Sequence, residues 1–278
     1  MIPSGKARLA GVIGWPVGHS RSPRLHGFWL DRHGVDGAYV PLAVRPEDLA
    51  ATLALLPRIG FAGANLTVPH KEAALALVDV VEPLAARIGA VNTVVVLADG
   101  RLEGRNTDAF GFLENLRRGA PAWRPQAGPA VVLGAGGAAR AVVAALVECG
   151  VAEIRLANRS AGRAEILADA LGGPVAVWDW DRRRAALDGA ALVVNTTTLG
   201  MAGQPPLDLD LSSLPPTAVV NDIVYVPLET NLLKAARARG NIAVDGIGML
   251  LWQAAPAFEA WFGVRPEVDE SLRAFVLG

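Results

Sequence analysis

The chain has 278 residues, of which 52% are hydrophobic, and a formal net charge of -1. This length allows one large domain or two of ordinary size, and the balanced charge gives no sign of a nucleic-acid partner or an anionic membrane surface. Cys149 is the single cysteine, which excludes an intrachain disulfide, and no apolar run approaches the roughly 20 residues of a membrane span. The first residues, "MIPSGKARLAGVIG", lack the pattern of a secretory leader. We therefore expect a cytoplasmic protein whose one thiol is buried and unreactive.

Short apolar runs alternate with helical patterns along most of the chain. This alternation predicts an α/β architecture with parallel strands. The predicted strands are residues 9–14, 38–44, 61–68, 91–97, 129–134, 153–158, 174–178, 191–196 and 217–222. The predicted helices are residues 47–57, 70–78, 107–118, 137–149, 161–171 and 228–239.

After residue 245 the pattern changes to two helices, 246–263 and 266–277, without further strands. Two helices cannot form a domain alone, so they must pack against an earlier part of the chain. The stretch "RGAPAWRPQAGP" (118–129) is rich in Pro and Gly and is a candidate linker. Pattern alone leaves the number of domains open.

The strongest local motif is "PAVVLGAGGAARAVVAAL", in which a buried strand runs through a glycine turn into a helix. Gly134, Gly136 and Ala139 match the G-x-G-x-x-A form of the dinucleotide-binding fingerprint. The glycines allow a tight turn and a close approach to a pyrophosphate, and the helix N-terminus favours its negative charge. An ordinary tight turn is the alternative, and the strand–turn–helix context favours a dinucleotide.

The end of the next strand indicates which dinucleotide. An NAD site carries Asp or Glu there, whereas this chain has "RLANRSAGR", with Asn158, Arg159, Ser160 and Arg163. Guanidinium groups pair with phosphate through charge-assisted hydrogen bonds, which favours the 2′-phosphate of NADP. The alternative is a solvated helix start with Ser160 as its N-cap.

The stretch "GANLTVPHK" ends an apolar strand with polar groups, among them Asn65, Thr67 and Lys71. Ligands of parallel α/β sheets gather at the carboxyl ends of strands, so Lys71 is a candidate for proton transfer. An exposed first-turn lysine is the alternative. No metal-ligand spacing accompanies the four histidines.

Other polar residues have structural explanations as well. In "GRNTDAFGF", Asn106 or Thr107 can cap a helix, and Asp108 favours its positive end. Ser20 and Ser22 precede a helix, so one is expected as an N-cap, and the pair could also bind a carboxylate or polyol. Asn92 and Gln253, each on an apolar element, are as readily explained by hydrogen bonds within the fold.

The segments together are similar to the shikimate dehydrogenase family over nearly the whole chain. The most specific matches are S-x-S-P in "GVIGWPVGHSRSP", N-x-T-V-P-x-K in "GANLTVPHKEAA" and N-T-D-x-x-G in "GRNTDAFGF". Further matches in the same order are "IGAVNTVV", "LGAGGAARAV", "LANRSAGRAEILA", "VVNTTTLGM", "NDIVY" and "DGIGMLLWQAAPAF".

The resemblance implies an NADP-dependent enzyme that reversibly reduces 3-dehydroshikimate to shikimate in chorismate and aromatic amino-acid biosynthesis. It implies Lys71 and Asp108 as the catalytic pair. Substrate would be bound by Ser20, Ser22, Thr67, Asn92, Asp108, Tyr225 and Gln253. NADP would be bound by Gly134, Ala135, Gly136, Gly137, Ala138, Asn158, Arg159, Ser160, Arg163, Ile223 and Gly246.

The resemblance also implies two α/β domains with an active-site cleft between them. The substrate domain would comprise residues 1–108 plus 246–278, and a Rossmann-type, doubly wound NADP domain residues 109–245. We expect a monomer or homodimer whose partner is a small molecule. Trp15, His70 and Ile223 depart from the usual residues of the family, and none of them removes a catalytic group.

Two alternatives stay open. A quinate/shikimate dehydrogenase of relaxed specificity differs in tolerating an extra ring hydroxyl beside the substrate carboxylate, which Ser20 and Ser22 would face. A non-catalytic, NADP-responsive regulatory protein on the same fold would be expected to lack the Lys71 and Asp108 pair, which this chain retains.

Overall fold

The computed structural model describes residues 2–278, and within them the chain forms two six-stranded sheets. The chain divides into two compact units. The first comprises residues 1–108 and 250–278, and the second comprises residues 109–249. The assignment of a substrate domain and a cofactor domain to these units stays a prediction.

The first unit contains a mixed sheet in the order β2-β1-β3-β5-β6-β4. Its strands are β1 (Arg8–Gly14), β2 (Gly37–Ala43), β3 (Phe61–Leu66), β4 (Val80–Val81), β5 (Thr93–Val96) and β6 (Leu102–Arg105). Its short helices are α1 (Ser22–Arg32), α2 (Leu49–Leu55) and α3 (Pro83–Ile88). Strands β1 and β3 pair in parallel, whereas β5 runs antiparallel to both β3 and β6.

The antiparallel strands correct the prediction of an all-parallel sheet. The predicted strand 91–97 ends at a tight turn in which Gly100 has φ +86°, and β6 then returns along β5. The dipeptide Asp99-Gly100 between apolar runs is a hairpin signal that the strand–helix interpretation missed.

The predicted helix 70–78 is also wrong. Only a 3-10 turn forms there, at Ala73–Ala76, and Val80–Val81 pairs with β6 as a strand. The Lys71 carbonyl accepts a hydrogen bond from the Val91 N–H at 2.8 Å, so it is not available to a helix. So short a helix is marginal on its own, and this tertiary contact determines the local structure instead.

The second unit contains a fully parallel sheet in the order β12-β11-β10-β7-β8-β9. Its strands are β7 (Ala130–Leu133), β8 (Ile154–Asn158), β9 (Val175–Asp179), β10 (Leu192–Asn195), β11 (Val219–Asp222) and β12 (Ile242–Val244). This is the doubly wound Rossmann order, and the chain switches direction between β7 and β10. The predicted α/β fold with a Rossmann-type sheet is confirmed, and β12 is a strand that the prediction lacked.

Helices α4 (Asp108–Gly119), α5 (Gly137–Glu148), α6 (Ala161–Leu171) and α7 (Asn231–Ala238) accompany this sheet. Cys149 caps the C-terminal end of α5, where it is half-buried rather than buried, and burial raises the pKa of its thiol.

Each unit has its own apolar core. In the second unit, Val131, Val193 and Val220 of adjacent parallel strands are completely buried. Such continuous apolar strands are expected where helices cover both faces of a sheet.

Two C-terminal helices, α8 (Ile247–Phe262) and α9 (Glu270–Leu277), follow the second sheet, as predicted. Phe258 and Trp261 of α8 are completely buried in the first unit, and the Trp261 indole donates to the Val94 carbonyl at 2.9 Å. These contacts explain why an apolar helix without strands of its own is stable. Among the helices of residues 2–278, none is long and apolar enough to cross a membrane.

Candidate active site

Lys71 and Asp108 form an ion pair in the first unit. The Lys71 Nζ donates to Asp108 Oδ2 at 2.5 Å, and the two side chains are 17% and 7% exposed. The pair joins the loop after β3 to the first residue of α4, 37 positions away along the chain. Desolvated charges of opposite sign are strongly coupled, so each holds the other in place.

Asp108 also satisfies the structural role expected of it. Its carboxylate lies in the first turn of α4, where the helix dipole favours negative charge. Its backbone N–H donates to Asn106 Oδ1 at 3.0 Å, so Asn106 satisfies one of the free N–H groups at the helix start. Capping by Asn106 and ion pairing by Asp108 therefore coexist in one segment.

Asn92 connects this pair to the sheet. Its Nδ2 donates to Asp108 Oδ1 at 2.9 Å, and its Oδ1 accepts from the Thr107 backbone N–H at 2.8 Å. Nδ2 also lies 3.0 Å from Thr107 Oγ1 and 3.3 Å from Gln253 Oε1. Asn92 is 2% exposed, so all of these contacts are buried. Four of the residues predicted for the site, Lys71, Asp108, Asn92 and Gln253, are thus brought into one hydrogen-bonded cluster.

The predicted serines lie at the start of α1 in the same unit. Ser22 is buried as the first residue of α1, and its N–H donates to Ser20 Oγ at 3.3 Å. The expected serine N-cap is wrong, because Arg21 holds the N-cap position without a side-chain cap bond to any described residue. Thr67, the residue directly after β3, is half-buried.

In the second unit, the glycine turn has the shape that its motif predicts. Gly134 has φ +110°, and a Cβ there would lie 2.6 Å from Thr196 Oγ1. Gly136 is the N-cap of α5, and a Cβ on it would meet no described atom within 4 Å. The first glycine is therefore needed for the fold, whereas the second faces open space at a helix N-terminus. Together they fit a pyrophosphate group.

The residues around these glycines complete the turn. Gly137 begins α5, Ala139 is completely buried beneath it, Ala135 is 6% exposed, and Ala138 is partly exposed. A small buried residue at position 139 lets the helix pack closely on β7, as the fingerprint requires.

The side chains predicted for the adenosine phosphate lie between the end of β8 and the first turn of α6. Asn158 is the last residue of that strand, and its Nδ2 donates to the Ser160 carbonyl at 2.9 Å. Arg159 and Arg163 are exposed at the start of α6. Ser160 holds the N-cap position, yet no cap bond from its side chain occurs within residues 2–278, so its capping role is not supported.

Ile223 and Gly246 lie against each other in the second unit. A Cβ on Gly246 would lie 2.2 Å from the Ile223 carbonyl oxygen, so only glycine allows this approach. Tyr225, two residues beyond Ile223, is partly exposed.

Asp222 is a buried carboxylate that the sequence interpretation did not single out. It ends β11 and accepts hydrogen bonds from Thr230 Oγ1 at 2.7 Å, Asn195 Nδ2 at 2.9 Å and the Val224 N–H at 3.1 Å. It thereby anchors the segment that carries Ile223. Burial raises the pKa of Asp222 to about 6, and these hydrogen bonds oppose the increase.

The described residues contain no group of three or more His, Cys, Asp or Glu side chains that could hold a metal ion.

The fold defines a class of α/β proteins in which one unit has the dinucleotide-binding strand order. Comparison with known proteins identifies the family more narrowly than the fold does. Residues 12–94 match the shikimate dehydrogenase substrate binding domain, residues 125–200 the shikimate/quinate 5-dehydrogenase family, and residues 246–273 the shikimate 5′-dehydrogenase C-terminal domain.

Full-length relatives agree with these matches. The shikimate dehydrogenases (NADP+) of Paramagnetospirillum magneticum and Rhodospirillum rubrum are 70% and 66% identical to this chain, each over 99% of both sequences. The chain belongs to the shikimate dehydrogenase family.

Solved structures show the same fold. Quinate dehydrogenase from Corynebacterium glutamicum in complex with NAD is 37% identical, with a TM-score of 0.90 over 98% of this chain and 99% of that one. Shikimate 5-dehydrogenase from Thermus thermophilus in complex with NADP(H) and shikimate is 42% identical, with a TM-score of 0.85 over 97% of this chain and 98% of that one.

The raised pKa of Asp222 predicts a pH-dependent contribution to stability. A carboxyl group that binds its proton more tightly when folded stabilises the protein below the unfolded pKa of 3.8, and this contribution is lost as the pH rises through about 6. Relative to Asp222→Asn, the wild-type protein should therefore lose on the order of 1–3 kcal/mol of unfolding free energy between about pH 4 and pH 7.

Chemical denaturation of both proteins across this range measures the difference. Asp181→Asn, which removes an exposed carboxylate of the same unit, is the control. A difference between wild type and Asp222→Asn that stays constant from acid to neutral pH would contradict the assignment.

Proposed function

We propose that this protein is an NADP-dependent oxidoreductase that reversibly reduces 3-dehydroshikimate to shikimate, a step of chorismate and aromatic amino-acid biosynthesis. The observation that carries the proposal is the Lys71–Asp108 pair, 2.5 Å apart and held by Asn92. The high identity to shikimate dehydrogenases (NADP+) over the full length supports the substrate and the cofactor.

Residues 1–108 plus 246–278 would bind the substrate, and residues 109–245 would bind NADP. The glycine turn, from Gly134 to Ala138, would hold the pyrophosphate. Asn158, Ser160, Arg159 and Arg163 would hold the adenosine phosphate, and Ile223 and Gly246 would lie beside the nicotinamide. Bound NADPH supplies the hydride that converts the substrate carbonyl into an alcohol.

Lys71 would act on the substrate oxygen. Negative charge grows on that oxygen as the carbonyl is reduced, and an ammonium within hydrogen-bond distance both stabilises the charge and donates the proton. An ammonium has three hydrogens, so the bond to Asp108 does not exhaust its donors. Reversal of the reaction requires the same group to accept the proton from the alcohol.

Asp108 would orient Lys71 and the substrate together. One carboxylate oxygen accepts from Lys71 and the other from Asn92, so the carboxylate plane is fixed from both sides. Each oxygen has a further lone pair with which it can accept a hydrogen bond from a substrate hydroxyl. A fixed pair removes much of the entropy cost of aligning the reacting groups.

The remaining residues would position the ring. Ser20 and Ser22 would bind the carboxylate, while Thr67, Asn92, Tyr225 and Gln253 would bind the hydroxyls. The Gln253 side chain is already oriented, because its Nε2 donates to the Leu250 carbonyl at 2.9 Å and its Oε1 accepts from Asn92.

Quinate is the second candidate substrate, because a quinate dehydrogenase in complex with NAD matches the fold over almost the whole chain. Purified full-length protein should be assayed with shikimate and quinate, each with NADP+ and NAD+, by the absorbance of the reduced nicotinamide. We expect the highest kcat/KM for shikimate with NADP+. A preference for quinate would assign the second activity, and no turnover in any of the four combinations would contradict the proposed function.

The arginines after β8 predict the cofactor preference. Arg159→Ala should raise the KM for NADPH by about tenfold or more, because it removes charge-assisted bonds to a phosphate. The KM for NADH, which lacks this phosphate, should change less than about twofold.

Steady-state kinetics with both cofactors measure the two values. Arg58→Ala removes an exposed arginine of the first unit and serves as the control. Equal increases in KM for NADPH and NADH would exclude Arg159 as a ligand of the 2′-phosphate.

A further inference from the structure

A series of buried hydrogen bonds leads to Asn92 from three residues that the proposed function has not assigned, Tyr39, Asn65 and Thr93. The Tyr39 hydroxyl donates to Asn65 Oδ1 at 2.7 Å, and Asn65 Nδ2 donates to Thr93 Oγ1 at 3.1 Å. Thr93 Oγ1 in turn donates to Asn92 Oδ1 at 3.0 Å. All four side chains are less than 8% exposed.

Backbone groups determine which side-chain atoms donate and which accept in this series of hydrogen bonds. Asn65 Nδ2 also donates to the Asn92 carbonyl at 3.1 Å, and a carbonyl can only accept. The Thr107 N–H, which can only donate, faces Asn92 Oδ1 at 2.8 Å. Both amides are therefore oriented, and in its two shortest contacts the Thr93 hydroxyl accepts from Asn65 and donates to Asn92.

Tyr39, the first residue of this hydrogen-bonded series, is also held in place by its neighbours. The Tyr39 ring stacks on the His26 ring with centroids 3.9 Å apart and an interplanar angle of 8°. Burial raises the pKa of Tyr39 well above its usual value, and a hydrogen bond with the Ser22 side chain opposes this increase. Tyr39 therefore lies near a serine predicted to bind the substrate carboxylate.

The pairing of β3 with β5 brings these residues together. Asn65 and Thr93 are directly opposed in the antiparallel register, 28 positions apart in sequence. Hydrogen bonds in such a series polarise one another, so the loss of one weakens its neighbours.

We propose that Tyr39, Asn65 and Thr93 are positioning residues of the dehydrogenase reaction. Together with the Thr107 N–H, they hold the Asn92 amide so that its Nδ2 faces Asp108 Oδ1, and this in turn aligns the carboxylate that holds Lys71. The consequence for catalysis rests on the proposed function, whereas the orientation of Asn92 does not.

A purely structural role makes a different prediction. Buried hydrogen bonds stabilise a fold whether or not they serve catalysis, and their loss would then lower the melting temperature without a selective loss of kcat. Matched variants separate the two roles. Thr93→Val keeps the side-chain shape and removes the hydroxyl, Thr93→Ser keeps the hydroxyl, and Tyr39→Phe keeps the ring that stacks on His26.

Under our proposal, Thr93→Val lowers kcat by about tenfold, while the KM for NADP+ changes less than about twofold. Thr93→Ser recovers most of the lost kcat although it leaves a small cavity. Tyr39→Phe combined with Thr93→Val loses less than the product of the single effects, because both act through one amide. The control is Thr52→Val, which removes from α2 a hydroxyl that donates to the Asp48 carbonyl.

A second measurement is independent of activity. The side-chain amide protons of Asn92, followed by NMR in the full-length protein, should exchange with solvent about tenfold faster in Thr93→Val than in wild type. Unchanged exchange together with unchanged kcat in Thr93→Val, or independent, multiplicative losses in the double variant, would overturn the proposal. If the wild-type protein lacks turnover, but the Asn92 amide protons still exchange faster in Thr93→Val than in wild type, only the proposed function is contradicted.

Discussion

The arrangement of the first unit depends on the side-chain amide of Asn92. Its oxygen accepts from the Thr107 backbone and its nitrogen donates to Asp108, so one buried group joins the residue before β5 to the start of α4. A buried carboxylate is costly unless it is paired and hydrogen-bonded on both oxygens. Asn92 and Lys71 meet that requirement from opposite ends of the carboxylate. The same contacts that make Asp108 tolerable inside the protein thus also fix the position of the Lys71 ammonium.

In the second unit, too, an asparagine amide donates a hydrogen bond to a buried carboxylate. Asn195 and Asp222 end adjacent parallel strands, and their side chains are hydrogen-bonded at 2.9 Å. The segments that follow them, including Ile223, begin from this fixed point. At the glycine turn, a Cβ on Gly134 would collide with Thr196 Oγ1, whereas a Cβ on Gly136 would meet no described atom within 4 Å. In both units, polar side chains at strand ends are held by buried hydrogen bonds.

The sequence predicts the second unit better than the first for a physical reason. Parallel strands buried on both faces have continuous apolar runs and intervening helices, and this local pattern is sufficient for the Rossmann-type sheet. The 70–78 segment has a helical pattern, yet its structure is determined by the tertiary bond between Lys71 and Val91. Lys71 was a candidate because it follows a strand end, and the family resemblance implied Asp108 as its partner, but Tyr39 and Thr93 could not be identified. Their contacts depend on an antiparallel register that the strand–helix alternation did not predict.

The most direct test of the central claim is the turnover of Lys71→Ala, Asp108→Asn and the double variant at saturating substrate, with Lys234→Ala as the exposed-lysine control. If the two residues act as one unit, Lys71→Ala loses about a hundredfold or more in kcat, and the double variant loses no more than the more severe single variant. Near-full turnover of Lys71→Ala, or losses that multiply in the double variant, would contradict the account.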